Sequence, residues 1–297
     1  MSDKYTSPSR KVFMVFTYLI FVIYGLMCLL PMINVLAMSF SSSSAVAAGD
    51  VLFWPVGFTL ASYQFVIESV EFLRAFWISI QRVAIGVPLN MLLTILVAYP
   101  LSKENKDLSG RQIYVWFFII TMLFNGGLIP LYMVVRAMGM LDTIWALLIP
   151  GALPIFNMVI LLNFFRNLPK EIEEAAFIDG ASHMRTLTTI ILPLSVPSLA
   201  TLTLFAAVFH WNSWFDGIIF MNRPENYPLA SYLQTVIIQA SNLIQNLTMA
   251  DAQRFAAISD RTARSAQIFI GALPILAFYP ILQKHFMAGI VLGSVKG

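Results

Sequence analysis

Charge is scarce in this chain: 11% of its 297 residues are Asp, Glu, Lys or Arg, against the ~25% usual in soluble domains, while 59% are hydrophobic. Water is therefore not the solvent for most of its surface, and the class this implies is an all-α integral membrane protein. Formal net charge is only +3, which speaks against nucleic acid as a partner and fits basic residues that flank membrane spans. Cysteine is nearly missing. The single Cys28 excludes an intrachain disulfide framework and a cysteine-based metal cluster. No Gly-x-x-x-x-Gly-Lys-Ser/Thr phosphate loop is present, so the chain is not itself an ATPase. Neither a His-Glu-x-x-His motif nor a serine, histidine and carboxylate set falls within a span, which leaves no catalytic residues and no metal ligands, and a non-enzymatic role is expected. Internal repeats and low-complexity tracts are likewise lacking.

What the chain does have is long gaps between charges. A charge at mid-bilayer is expensive and a helix needs about 20 mostly apolar residues to cross. Six stretches meet that test, predicting helices at about 13–38, 73–99, 113–135, 143–165, 194–219 and 265–284. The uncharged stretch 226–250 carries Gln234, Gln239, Asn242, Gln245 and Asn246, which are costly against lipid, so it reads as a polar loop with a short amphipathic helix. The first apolar run is far longer than the core of a signal peptide, so a retained helix is expected despite the cleavage-like Ala45-Val46-Ala47. With both termini inside, 11 of the 18 Lys and Arg residues fall on the cytoplasmic side. The positive-inside rule thus favours that orientation in a multi-pass cytoplasmic membrane protein. It places 166–193 and the tail 285–297 in the cytoplasm and the longer segments 39–72 and 221–264 outside.

Within the third cytoplasmic segment, Pro169 suits the first turn of a helix, Glu171, Glu173 and Glu174 favour its positive end, and Gly180 supplies a left-handed stop. Ile172, Ala175 and Ala176 form a small apolar face at helical spacing, with carboxylates left for a basic partner. An amphipathic connector of ordinary kind would look similar in composition. The full pattern is more specific: Glu174-Ala175-Ala176, three residues, Gly180, nine residues, then Ile190-Ile191-Leu192-Pro193. This resembles the cytoplasmic signature of permease subunits of bacterial ABC importers, and it lies in the segment that the charge count had already put inside.

The resemblance implies a type I importer fold of six helices, in which the surface helix docks in a groove of an ATPase subunit. Glu173, Glu174, Ala175, Ala176, Asp179, Gly180, Leu192 and Pro193 would then couple ATP hydrolysis to transport. It also implies the partners: a second homologous permease subunit, two ATPase subunits that bind ATP and Mg, and an extracytoplasmic sugar-binding protein, with no cofactor in this chain. The C-terminal run Gly289-Ile290-Val291-Leu292-Gly293-Ser294-Val295-Lys296-Gly297 resembles the tail of the maltose-type branch, where Gly293, Lys296 and Gly297 would reach the ATPase interface; a frayed terminus is the plain alternative. Asn125-Gly126-Gly127-Leu128-Ile129-Pro130 through Trp145-Ala146-Leu147 resembles the subgroup of permeases for complex or acidic oligosaccharides, and Trp54-Pro55, Phe58-Thr59-Leu60 and Tyr63 resemble the first outer loop of sugar permeases. Ser62 stands where Asn is expected in that pattern. An ion-coupled secondary transporter of a small solute is the rival class, but it usually keeps ionisable groups at mid-membrane, and here His210 and Asp216 stand near one end.

Candidates for the translocation path cluster in His210-Trp211-Asn212-Ser213-Trp214-Phe215-Asp216, where indoles can stack on sugar rings and His210, Asn212 and Asp216 can bond hydroxyls. An interfacial aromatic belt would have the same composition. Asn125 beside two glycines either kinks a span to line a cavity or permits close helix packing. Arg82 either snorkels to the outer interface, the expected outcome, or faces a wet cavity where an acidic sugar would suit it.

Overall fold

The computed structural model describes residues 8–105, 107–243 and 261–293, and among them every regular element is a helix. The chain divides into two compact units, one within residues 1–70 and 237–272, the other within 71–236 and 273–297.

The first unit begins with α1 (Pro8–Ser39), a 32-residue apolar helix. Its large side chains from Val12 to Leu30 are exposed on all sides, as suits a helix whose solvent is lipid. Beyond it come α2 (Ser43–Ala48) and α3 (Ala61–Glu68). The loop between them is tied back by Asn34, whose amide donates to the Leu52 carbonyl at 2.6 Å, and by Phe40, stacked on Phe58 and Tyr63 at 5.6 and 4.8 Å.

In the second unit α4 (Val70–Ser102) is a continuous 33-residue helix. Its buried side runs through Phe72, Ala75, Ser79, Arg82, Gly86, Asn90, Thr94 and Ala98, positions three and four apart on one face. The elements packed around it are interrupted. The stretch expected as one helix at 113–135 is two, α5 (Arg111–Leu123) and α6 (Leu128–Ala137), bent by 113°. Asn125 causes this together with Gly127: the Asn125 side chain accepts from the Gly127 N–H at 2.8 Å, and Gly127 sits at φ 91°, ψ 171°, a conformation closed to other residues. The expected helix 143–165 is also two, α7 (Ile144–Leu148) and α8 (Ile155–Arg166), because Pro150 and Pro154 lack the N–H that would continue the ladder. After α9 (Lys170–Ile178), α10 (His183–Thr186) passes through a π-helical turn, Leu187–Ile191, into α11 (Leu192–Leu194). A bend of 84° leads to α12 (Val196–Asn212), and a break at Ser213–Trp214 separates α13 (Phe215–Phe220), so the expected helix 194–219 is divided as well.

A 15-residue helix, α14 (Leu229–Leu243), occupies the polar stretch expected to hold a short amphipathic helix and falls short of a span. The last helix, α15 (Arg261–Gly293), runs past the expected end near 284, so residues 285–293, read from sequence as part of a Gly-spaced tail, are helical; Lys296 and Gly297 lie outside the described residues. Among the described residues two helices are long and apolar enough to cross a membrane unaided, or up to four if each bent pair counts as one. One apolar core joins Ala98, Tyr99 and Leu101 of α4 to Met158, Leu161 and Phe165 of α8, Leu187, Ile191 and Leu202. A smaller core gathers Val135, Ala146, Leu147, Phe220 and Met221.

Because Gly127 alone accepts its backbone geometry, Gly127→Ala is expected to destabilise the detergent-solubilised protein by about 1–3 kcal/mol. Gly126→Ala, with nothing within 4 Å of the added carbon, should leave the unfolding midpoint nearly unchanged.

Candidate functional site

The signature segment folds as its residues require. Pro169 precedes α9, Glu171 and Glu173 lie in its first turn, and Gly180 at φ 78° ends it. The Gly180 N–H donates to the Phe177 carbonyl at 3.0 Å and the Ala181 N–H to the Ala176 carbonyl at 2.9 Å, the paired bonds of a Schellman turn. Two faces result. Glu174, Ala175, Ile178, Asp179 and Gly180 are exposed, and Ile178 keeps 86% of its surface, a conspicuous aliphatic group on a helix with no cover. Ala176 is buried. Leu192 packs against the α4–α8 core, and Pro193 is exposed.

Glu173, grouped with Glu174 in the coupling set, turns inward to partners within the chain. Its carboxylate accepts from the Tyr99 hydroxyl at 3.0 Å and from the Lys103 ammonium, and that ammonium lies 4.0 Å from the centre of the Tyr99 ring. Lys170, on the same helix, pairs with Glu104, which raises the Lys170 pKa above its ordinary value. Between α9 and the ends of α4 and α8 lies a cavity of about 830 Å³, lined by Tyr99, Lys103, Arg111, Arg166, Glu173 and Phe177 among others. Arg111 is fixed there by its Nε, which donates to the Leu101 carbonyl at 2.6 Å.

Three of the seven path candidates, Arg82, His210 and Asp216, take part in two polar clusters built on α4: Arg82 with Asp216, and Asn90 with His210. Arg82 is completely buried, not snorkelling: its guanidinium donates to both Asp216 oxygens, at 3.1 Å to Oδ1, and to the Ser213 and Leu147 carbonyls at 3.2 and 3.5 Å. One helical step of eight residues along α4, the Asn90 amide donates to the Gly151 and Ala152 carbonyls at 2.9 and 2.8 Å. With its nitrogen so engaged, the Asn90 oxygen is an acceptor, so His210 Nε2, 2.7 Å away, carries the proton. The imidazole fits because residue 86 is glycine, where a Cβ would stand 2.5 Å from Nε2. The carbonyls served are those that the α7–α8 and α12–α13 breaks release from the helical ladder. Trp211 is buried edge-on against Phe76 at 5.7 Å, Asn212 and Trp214 are exposed, and Asn125 is exposed and spent on its own turn.

Sequence reading missed Asn90, Tyr99, Lys103 and Asp142. Polar residues Arg82 and Asn90 flanking Gly86 at intervals of four on a long apolar helix were the available signal for the first. Asp142, at φ 60° in the turn between α6 and α7, ties that turn to the segment after α13: its Oδ1 accepts from Asn226 Nδ2 at 2.9 Å and from the Asn222 and Arg223 amides at 3.2 and 3.3 Å. The Asn226 bond and those amides hold its carboxyl below the ordinary value.

Comparison with known proteins gives the family and the fold. Residues 72–290 match the family described as "Binding-protein-dependent transport system inner membrane component", and the chain belongs to that family of membrane permeases. It is 36% identical over 288 residues, 97% of its length and 99% of the relative's, to the polygalacturonan/rhamnogalacturonan transport system permease protein YtcP of Bacillus subtilis (strain 168). It is 40% identical over 273 residues, 92% of its length and 91% of the relative's, to Protein LplC of the same organism. Its fold is similar, with a TM-score of 0.84 and 30% identity over 95% of this chain and 99% of the other, to a chain in the crystal structure of a bacterial ABC transporter involved in the import of the acidic polysaccharide alginate. The architecture is therefore that of a type I ABC importer permease.

Removing Asp216 strands the fully buried Arg82 guanidinium, whereas Asp216 itself keeps 23% of its side-chain surface. Asp216→Leu is expected to destabilise the protein by roughly 3–5 kcal/mol, Arg82→Met by less, and the double variant by clearly less than the sum, measured by denaturant unfolding in micelles. A depressed carboxyl stabilises the fold above its ordinary pKa and loses that contribution as pH falls through the depressed value. Protection of the Asn222 and Arg223 amides from hydrogen exchange should accordingly persist down to pH 3.8 and fade only below it.

Proposed function

We propose that the chain is one of two permease subunits of an ATP-driven importer that moves an acidic oligosaccharide, delivered by an extracytoplasmic binding protein, across the bacterial cytoplasmic membrane. The observation that carries this is the exposed Glu174–Ala175–Ile178–Asp179 face on a helix whose opposite side is anchored to the membrane unit. Such a helix is a ball awaiting a socket. The ATPase subunits supply the socket and bind ATP and Mg; this chain supplies movement. Six spans with both termini cytoplasmic complete the reading, each bent or divided stretch counting as a single crossing, with the segment after Gly293, including Lys296 and Gly297, directed to the ATPase interface.

The similarity to permeases named for polygalacturonan/rhamnogalacturonan and to an importer of the acidic polysaccharide alginate supports an acidic cargo. Asn212 and Trp214, exposed beside the two polar clusters, are the residues offered to the sugar, while Arg82, His210, Trp211 and Asp216 stand behind them and hold the helix break in shape. The family gives no support to an ion-coupled secondary transporter.

Glu174→Lys is expected to leave the protein inserted and paired with its partner permease while ATP-driven uptake of polygalacturonan oligosaccharides falls about tenfold or more. Uptake by that variant at the unmodified rate removes the coupling assignment, and co-purification of the unmodified chain without an ATPase removes the class.

A further inference from the structure

We infer that Glu173 is an internal pin and not a contact for another subunit: it fastens α9 to the inner end of α4, so that force applied at Glu174 and Ile178 is delivered to α4 and thence to Arg82 and Asn90. The inference rests on the coupling reading proposed above and assigns the route by which the motion leaves the docking helix.

Adjacent glutamates on one helix point about 100° apart, so Glu173 and Glu174 do not share a face. Glu174 is exposed, whereas Glu173 keeps 19% of its side-chain surface and its Lys103 partner 13%. Glu173 accepts a neutral hydroxyl bond from Tyr99 and a charge-assisted one from Lys103, and the ammonium also lies over the Tyr99 ring, so three groups restrain one another. Tyr99 is itself wedged edge-on against Phe165 at 6.3 Å. Towards its chain neighbours α9 is joined by the short turn Asn167–Pro169, by the Gly180 turn and by Phe177, edge-on to His183 at 4.8 Å; these lead into the helices before and after it, whereas the Glu173 tie leads to α4. The Glu173–Lys103 tie joins positions 70 residues apart and reaches a helix that is unbroken over 33 residues. Lys170–Glu104 adds a second tie, but both its members are largely exposed and solvent weakens it. An unbroken helix fixed at its inner end moves at its outer end as well. Arg82 and Asn90, 17 and 9 residues before Tyr99 on that helix, are the two side chains that bond the carbonyls freed at the helix breaks.

The test uses the complete transporter in nanodiscs, with Cys28→Ser as background and spin labels on Glu171→Cys of α9 and Leu92→Cys of α4. The expected distance distribution is narrow and the same in the nucleotide-free and ATP–vanadate states. Glu173→Gln and Lys103→Gln should each add a second, longer population while the ATPase subunits still co-purify, and the exchanged pair Glu173→Lys with Lys103→Glu should return the single narrow one. A label distance that changes between the two nucleotide states in the parent, an unchanged distribution in Glu173→Gln, or loss of the ATPase from that variant would each overturn the pin. Failure of the exchanged pair to narrow the distribution does the same. The coupling reading itself stands or falls separately, on Glu174→Lys.

Discussion

A backbone carbonyl inside a bilayer has no water to turn to, and this chain interrupts its helices again and again. The breaks at 149–154 and 213–214 release carbonyls that the i to i+4 ladder no longer uses, and an unsatisfied polar group in a low-dielectric interior is worth several kcal/mol against the fold. Arg82 and Asn90 meet that demand from the intact helix α4. Arginine suits the task because its planar fork presents several donors in fixed directions and stays charged, while Asp216 balances that charge without leaving the network. His210 completes the set by donating from Nε2 to the oxygen that Asn90 leaves as acceptor. The carbonyls freed at both breaks, the one with Pro150 and Pro154 and the proline-free one at Ser213–Trp214, are thus bonded from α4.

This arrangement divides labour along one rod. At its C-terminal end α4 meets α9 through Tyr99 and the adjoining Lys103, and further back, at positions 82 and 90, it carries the polar side chains that bond the carbonyls freed at the breaks. Between lie Thr94 and Ala98, small and buried, where neighbouring helices approach closely. The Asp142 knot, with its carboxylate bonded to backbone amides and to Asn226, gives the far side a second fixed point independent of the bilayer. A permease that must change shape without losing its backbone hydrogen bonds needs such rigid bodies joined at defined breaks. The chain is bent by 113° after Leu123 and by 84° after Leu194.

Much of the site was legible before the structure. The turn at Gly180, the helix beginning after Pro169 and the exposure of Glu174 follow from local chemistry, where residues within four positions decide the outcome. The kink at Asn125–Gly127 was one of two readings of the same residues, and the positive φ of Gly127 selects it. Arg82 was expected to snorkel because sequence spacing cannot show that Asp216, 134 residues away, comes within bonding distance. Glu173 was grouped with Glu174 for the same reason: neighbours in sequence take different partners when one faces Lys103 and the other faces open space. Predicted spans 113–135, 143–165 and 194–219 had the right apolar content and the wrong continuity, since hydropathy counts residues and does not register where the ladder is cut.

What the sequence by itself determined is the solvent and the signature: too few charges for water, apolar runs of membrane length, and the Glu174–Gly180–Pro193 pattern with its helix and stop. These are local or compositional properties, settled by transfer free energies and by backbone preferences over a turn or two. Only the tertiary structure decided which polar groups are satisfied by whom, because Arg82 with Asp216, Asn90 with His210, and Glu173 with Lys103 are pairings across 134, 120 and 70 residues. Such bonds exist once packing has excluded every other partner, and no spacing along the chain encodes that exclusion.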